Sequence, residues 1–77
     1  MSKKIIYYPE ATILKSYDTF VAIKRTAAED IVTDKHYSKT TTRQINEFFG
    51  GSEVTKGAEK VSQELLDVMG KFIEAHQ

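Results

Sequence analysis

The chain has 77 residues, no cysteine and two histidines, and its eleven basic residues cancel eleven acidic ones. That length holds one small domain, 1–77, with a modest core of the kind oligomerisation often reinforces. The missing cysteines exclude disulfides and thiolate metal sites, and zero net charge argues against a chain that simply coats nucleic acid.

No stretch approaches the roughly 20 apolar residues of a membrane span. The apolar run after Lys3-Lys4 stops at Pro9, too short for a signal-peptide core. The expectation is therefore a cytoplasmic protein with no membrane contact. Residues 1–45 carry eight cations against five acids and residues 46–77 three against six. The halves are thus +3 and −3, a polarity that solvated faces produce on their own.

The first half reads as β-structure. Ile5-Ile6-Tyr7-Tyr8 is a β-branched and aromatic run ending at the turn signal Pro9-Glu10. Residues 12–17 alternate, Ile13, Lys15 and Tyr17 against Leu14 and Ser16. A turn at Asp18-Thr19 leads to Phe20-Val21-Ala22-Ile23, with Phe20 and Ala22 opposite Val21 and Ile23. After a polar connection at 26–30, Ile31-Val32-Thr33 opens a strand expected to reach about Tyr37. Short connections predict an antiparallel meander, and no dozen-residue crossover for a parallel pair is evident.

The second half reads as helix. Thr41-Thr42-Arg43-Gln44 has capping-box spacing, with Thr41 as N-cap and the Gln44 side chain reaching back. Ile45, Phe48 and Phe49 form one face of a short helix, which Gly50-Gly51 ends. From Ser52 a longer helix is expected. Val54, Ala58, Val61, Leu65, Val68, Phe72 and Ala75 make a heptad seam, which Leu66, Met69 and Ile73 widen. Asp67 and Lys71 have i,i+4 spacing on the wet side. Gly57 and Gly70 each weaken that helix by about 0.8–1 kcal/mol relative to Ala, so packing must hold it. The prediction is an α+β domain: a small antiparallel sheet of three or four strands, followed by one short and one longer C-terminal helix. The seam either covers the sheet or, between Val54 and Ala75, pairs two copies in a homodimer.

One stretch suggests a site. Tyr37, Ser38, Lys39, Thr40, Thr42, Arg43 and Asn46 gather hydroxyls, cations and an amide at the predicted strand-to-helix junction. Free backbone N–H groups there suit a phosphate or carboxylate, yet the same residue types also make an ordinary helix cap. Tyr7, Tyr8, Tyr17 and Phe20 lie near Lys3, Lys4, Lys15, Lys24 and Arg25, a pattern seen where sheets stack single-stranded bases and equally in cores and protein interfaces.

Nothing resembles a catalytic constellation. There is no nucleophile elbow, phosphate-binding glycine loop or zinc-binding His pair. Asp34 and His36 share a strand face without a third partner, and His76 sits at the chain end. A non-enzymatic protein with no cofactor and no metal is expected.

Ser16, Tyr17, Thr19, Val21 and Ala22, followed by Tyr37, Ser38, Thr40, Thr41, Ile45 and Asn46, resemble the motifs of a group of small uncharacterised bacteriophage and mobile-element proteins. The likeness covers about residues 12–49, and Gln44 stands where that pattern tends to have His. The resemblance implies an accessory phage protein in the host cytoplasm, one that binds, and by binding inhibits, a host defence or replication protein. The residues themselves leave two other readings: a nucleic-acid binder using Lys39, Arg43 and the strand aromatics, and a small homodimeric structural factor.

Overall fold

Residues 3–76 are described by a computed structural model. The apolar runs pair in chain order: β1 (Lys3–Tyr7) with β2 (Ala11–Ser16), β2 with β3 (Thr19–Arg25), and β3 with β4 (Ile31–Thr33), all antiparallel. Then come α1 (Lys39–Phe49), α2 (Ser52–Gly57), β5 (Glu59–Val61) and α3 (Gln63–Ala75). The class is α+β, as expected.

The sheet is larger than the three or four antiparallel strands predicted. It has five strands in the order β1-β2-β3-β4-β5, and β5 runs parallel to β4. Parallel neighbours need a long crossover, and α1 with α2 supply it. Strand β5 comes from inside the segment predicted as one long helix. Gly57 ends α2 and Ala58 is already extended (φ −77°, ψ 146°). The Glu59 amide then donates to the Asp30 carbonyl and the Asp34 amide to the Val61 carbonyl, both at 2.8 Å. Glycine weakens helix at 57, and these bonds offer the backbone an alternative.

Both faces of the sheet are buried. Ala11, Ile13, Phe20, Ile23, Ile31 and Val61 form one core with Leu66 of α3, and Met69 and Ile73 pack against it. Leu14, Val21, Ala22, Val32 and Ala58 form the other with Ile45 and Phe49 of α1, where Phe48 adds its ring. Strict alternation fails in β3 because Leu14 pairs with Ala22 while Lys15 pairs with Phe20. Val21 is the extra residue of a bulge, so Phe20 and Ile23 share one face and Val21 and Ala22 the other.

The heptad seam is not the face that α3 buries. Leu66, Gly70 and the half-buried Met69 and Ile73 meet the sheet, whereas Leu65, Val68, Phe72 and Ala75 are exposed. Val54 is exposed on α2, and Ala58 and Val61 are buried outside any helix. The break at 58–61 is the physical reason. It restarts the helix at a new cap, Ser62, whose side chain accepts from the Leu65 amide, and so resets its rotation. Asp67 accepts a hydrogen bond from Gln63 Nε2 at 2.8 Å, and the ion pairs among the described residues do not include the expected partnership with Lys71.

Two positions decide how tightly these layers close. A Cβ added at Gly70 would lie 2.5 to 2.8 Å from atoms of the buried Phe20 ring, while nothing lies within 4 Å of one at Gly57. Gly70→Ala, which would stabilise an isolated helix, should therefore lower stability here by about 1–3 kcal/mol. Gly57→Ala should be neutral or gain up to about 1 kcal/mol. Denaturant midpoints check both, and a stabilising Gly70→Ala would show that α3 stands further from the sheet.

Gln44 is 3% exposed, and neither oxygen nor nitrogen of its amide has a hydrogen-bond partner among the described residues. It points into the layer between α1 and the sheet and forms no capping box. A buried unsatisfied polar group costs about 1–3 kcal/mol, so Gln44→Leu should raise stability by roughly 1 kcal/mol. Loss of stability in the same chemical melts would mean that the amide is satisfied, for instance by ordered water.

Candidate binding face at the β4–α1 junction

Strand β4 stops at Thr33 rather than continuing to Tyr37. The Lys35 amide donates to Thr33 Oγ1 at 3.2 Å, a local turn that competes with further strand. Asp34 and His36 consequently lie exposed on a loop and not side by side on a strand.

The cap of α1 is Ser38 and not Thr41. Ser38 is extended (φ −163°, ψ 168°) and its Oγ accepts the Thr41 amide at 3.1 Å. Thr41 lies within the first turn of α1 and is buried. Its hydroxyl lies 3.2 Å from Ser38 Oγ and 3.4 Å from Ser16 Oγ. The contact with Ser16 of β2 draws Thr41 inward, which the run of hydroxyl residues alone does not reveal.

Two clefts adjoin here and share Tyr37 and Thr41. The first, about 240 Å³, opens between the β4–α1 loop, α1 and α2, and is lined by His36, Thr42, Asn46, Thr55 and Lys60 among others. The second, about 250 Å³, opens beside the β2–β3 hairpin, against Ser16, Tyr17, Thr19, Val21 and Ser38. Of the seven predicted site residues, Tyr37, Ser38, Thr42 and Asn46 are thus brought together. Lys39, Thr40 and Arg43 lie on α1 but line neither cleft.

Tyr37 is held from below by a polar hub absent from the sequence reading. Its hydroxyl donates to Gln63 Oε1 at 2.7 Å, as does Thr33 Oγ1 at 2.8 Å. Gln63 Nε2 donates to the Phe20 carbonyl and to Asp67 Oδ1, each at 2.8 Å. The Gln63 side chain so ties β3, β4, the loop and α3 together. Desolvation, and then the nearby Asp67 carboxylate, push the Tyr37 phenol above its usual 10.0. At neutral pH Tyr37 is a hydrogen-bond donor, with the Lys35 ammonium 5.3 Å from its ring centre.

Tyr17 was not singled out for this site, and the expected turn at Asp18-Thr19 lies one residue earlier. Tyr17 and Asp18 have φ of 53° and 65°, between the paired Ser16 and Thr19. They are the centre of a two-residue hairpin turn that favours Asn-Gly. Tyrosine there is 63% exposed and left-handed, a conformation that costs an L-residue about 1–2 kcal/mol. The signal was present in the sequence as a short polar turn, without an indication of which residues occupy its centre.

The other aromatics and cations are largely absorbed by the fold. Phe20 is core and Tyr8 packs against it, whereas Tyr7 is exposed on edge strand β1. Lys15 lies 3.0 Å from Glu74 and 4.7 Å from the Phe20 ring centre, and Lys24 is 5.3 Å from that of Phe48. Among the described residues no group of three His, Asp or Glu side chains is placed to hold a metal ion. No helix there is long and apolar enough to cross a membrane.

The cap assignment has a direct consequence. Ser38→Ala should destabilise by about 0.5–2 kcal/mol, and Thr40→Ala by no more than about 0.5 kcal/mol. Thermal melts of the two variants check this, and equal effects would remove Ser38 from the capping role.

Neither the curated proteins nor the solved structures contain a significant match to the chain. Residues 1–67, from β1 into the first turns of α3, match the model of a family of unknown function, DUF8033. On that match over most of its length, the chain belongs to the DUF8033 family.

Proposed function

We propose that this protein is a non-enzymatic binding module whose partner is another protein, contacted by Tyr17, Tyr37 and the polar side chains between and beside them. The observation that carries the reading is Tyr17. A large aromatic is kept at an exposed, left-handed turn position where Asn or Gly would be more stable, and backbone strain of this kind gathers at functional sites. Ser16, Thr19, Tyr37 and Ser38 in the same cleft, with Thr42 and Asn46 in the adjoining one, supply rigid aromatic area and adaptable hydrogen bonding, the mixture that protein-recognition surfaces use.

A protein partner suits this surface better than a nucleic acid. Both sheet faces are covered by helices, so no open sheet displays aromatics for base stacking. Lys15, Lys24 and Lys35 sit on the chain's own rings, and the net charge is zero. The resemblance of residues 12–49 to phage and mobile-element proteins supplies the context: an accessory protein in the host cytoplasm, docking on and inhibiting a host defence or replication protein.

The test separates stability from binding. Tyr17→Asn should raise stability by about 0.5–1 kcal/mol by relieving the turn, and weaken partner binding at least 10-fold as a lost aromatic anchor. Affinity isolation from host cells, with nuclease treatment, should recover a partner with wild type and with the Lys39→Ala, Arg43→Ala variant, but not with Tyr17→Asn. Tight, steeply salt-dependent binding of short DNA or RNA, lost in the Lys39→Ala, Arg43→Ala variant, would overturn the proposal.

A further inference from the structure

Helix α3 presents a second surface, separate from the Tyr17–Tyr37 face. Leu65, Val68 and Phe72 are 47%, 64% and 62% exposed, and their spacing of three and four aligns them along one side of the helix. The stripe continues into a groove of about 340 Å³ lined by Val68, Met69, Phe72 and Ile73, with Arg25 at its rim. Phe72 is fixed by stacking on His76, ring centres 4.0 Å apart. Three large apolar side chains in a row on a domain with a 4930 Å² surface form a patch of the kind that marks an interface.

We propose that a second copy of this chain covers this stripe, α3 packing antiparallel on α3 about a two-fold axis near Val68. The charges beside the stripe choose both the occupant and its direction. Glu64 and Lys71 flank the same edge of the stripe, one turn to either side of Val68, and the two ion pairs found among the described residues use neither. A two-fold axis normal to an antiparallel helix pair keeps that edge on the same side in both copies. Glu64 of each copy then meets Lys71 of the other, twice, while Leu65 lies against Phe72 across the axis. In a parallel pair that edge would instead meet the edge carrying Met69 and His76, and neither charge would gain a partner. Self-complementarity of this kind is what an isologous interface requires. The family match ends at residue 67, so Val68, Lys71 and Phe72 lie beyond it, and the dimer is inferred for this chain on its own residues. It does not depend on the function proposed for the Tyr17–Tyr37 face.

Sedimentation equilibrium of the purified full chain tests the dimer. Wild type should dimerise with concentration, and Val68→Glu should remain folded by circular dichroism and weaken the dimer by about 100-fold or more, since it places a charge at the apolar centre. Glu64→Lys and Lys71→Glu should each weaken it about 10-fold by setting like charges opposite one another. Mixing those two variants should restore dimerisation, because every pair across the axis is then opposite in sign. A wild type monomeric up to about 1 mM would overturn the proposal and leave the stripe to a different protein. So would a dimer unaffected by Val68→Glu, whereas a Val68-dependent dimer that the mixed variants fail to restore would overturn its antiparallel geometry.

Discussion

The parallel pairing of Ile31-Val32-Thr33 with Glu59-Lys60-Val61 is the constraint on which the rest of the structure depends. To bring β5 beside β4 in the same direction, the chain must travel back along the sheet. It does so through α1 and α2 on one face and then sends α3 across the other. Strands β2, β3 and β4 are apolar on both sides and need a cover on each. Without β5, residues 52–75 would form one helix and could cover only one face. The second core of Leu14, Val21, Ala22 and Val32, which α1 closes with Ile45 and Phe49, would then lose Ala58.

The same pairing positions the candidate site. Because β5 ends at Val61, α3 begins at Gln63, directly beneath the loop that leaves β4. Gln63 accepts from Thr33 and Tyr37 and donates to Phe20 and Asp67, so all four of its hydrogen-bonding positions used here lie within 2.8 Å of a partner. A polar network whose members are all satisfied is rigid. Tyr37 is thus held by the sheet and α3, although it belongs to a loop. Ser16, bonded to Thr41, links the hairpin that carries Tyr17 to the first turn of α1. The two tyrosines are consequently placed by different elements that the core holds in fixed relation.

Local sequence pattern made the strands legible and the long-range consequences illegible. The β-branched and aromatic runs read at 5–8, 12–17, 20–23 and from 31 all meet strands, though Tyr8 and Tyr17 lie one residue past β1 and β2 and β4 stops at Thr33, and Ile45 with Phe49 faces the core as their spacing predicts. The heptad over 54–75 failed because periodicity cannot show that hydrogen bonds to Asp30 and Asp34 outweigh helix at 59–61. That break changed which side of α3 is buried. The cap was misplaced by three residues because Ser38 and Thr41 both belong to the favoured N-cap types and the capping-box spacing to Gln44 pointed to Thr41, whereas the contact with Ser16 draws Thr41 inward. Tyr37, Ser38, Thr42 and Asn46 were grouped from residue type alone, and the structure places them along the two adjoining clefts. Tyr17 and Gln63 were not, since their roles come from a turn conformation and a contact across 26 and 43 residues.

These features are not energetically neutral in so small a domain. Tyr17 in a left-handed turn costs about 1–2 kcal/mol and the unpartnered Gln44 amide about 1–3 kcal/mol, against a total stability that for single domains is about 5–15 kcal/mol. Gln44 lies on α1 and Tyr17 in the β2–β3 turn. Burial of Leu65, Val68 and Phe72 between two copies would stabilise the opposite layer, with concentration setting how much. It would also join two Tyr17–Tyr37 faces in one particle, so that a partner offering two contact sites is held by both. Strain at the proposed recognition face and the proposed association on α3 are then compatible. The one lowers the stability of the single chain, the other raises that of the assembled pair, and the surfaces that do each are on different elements.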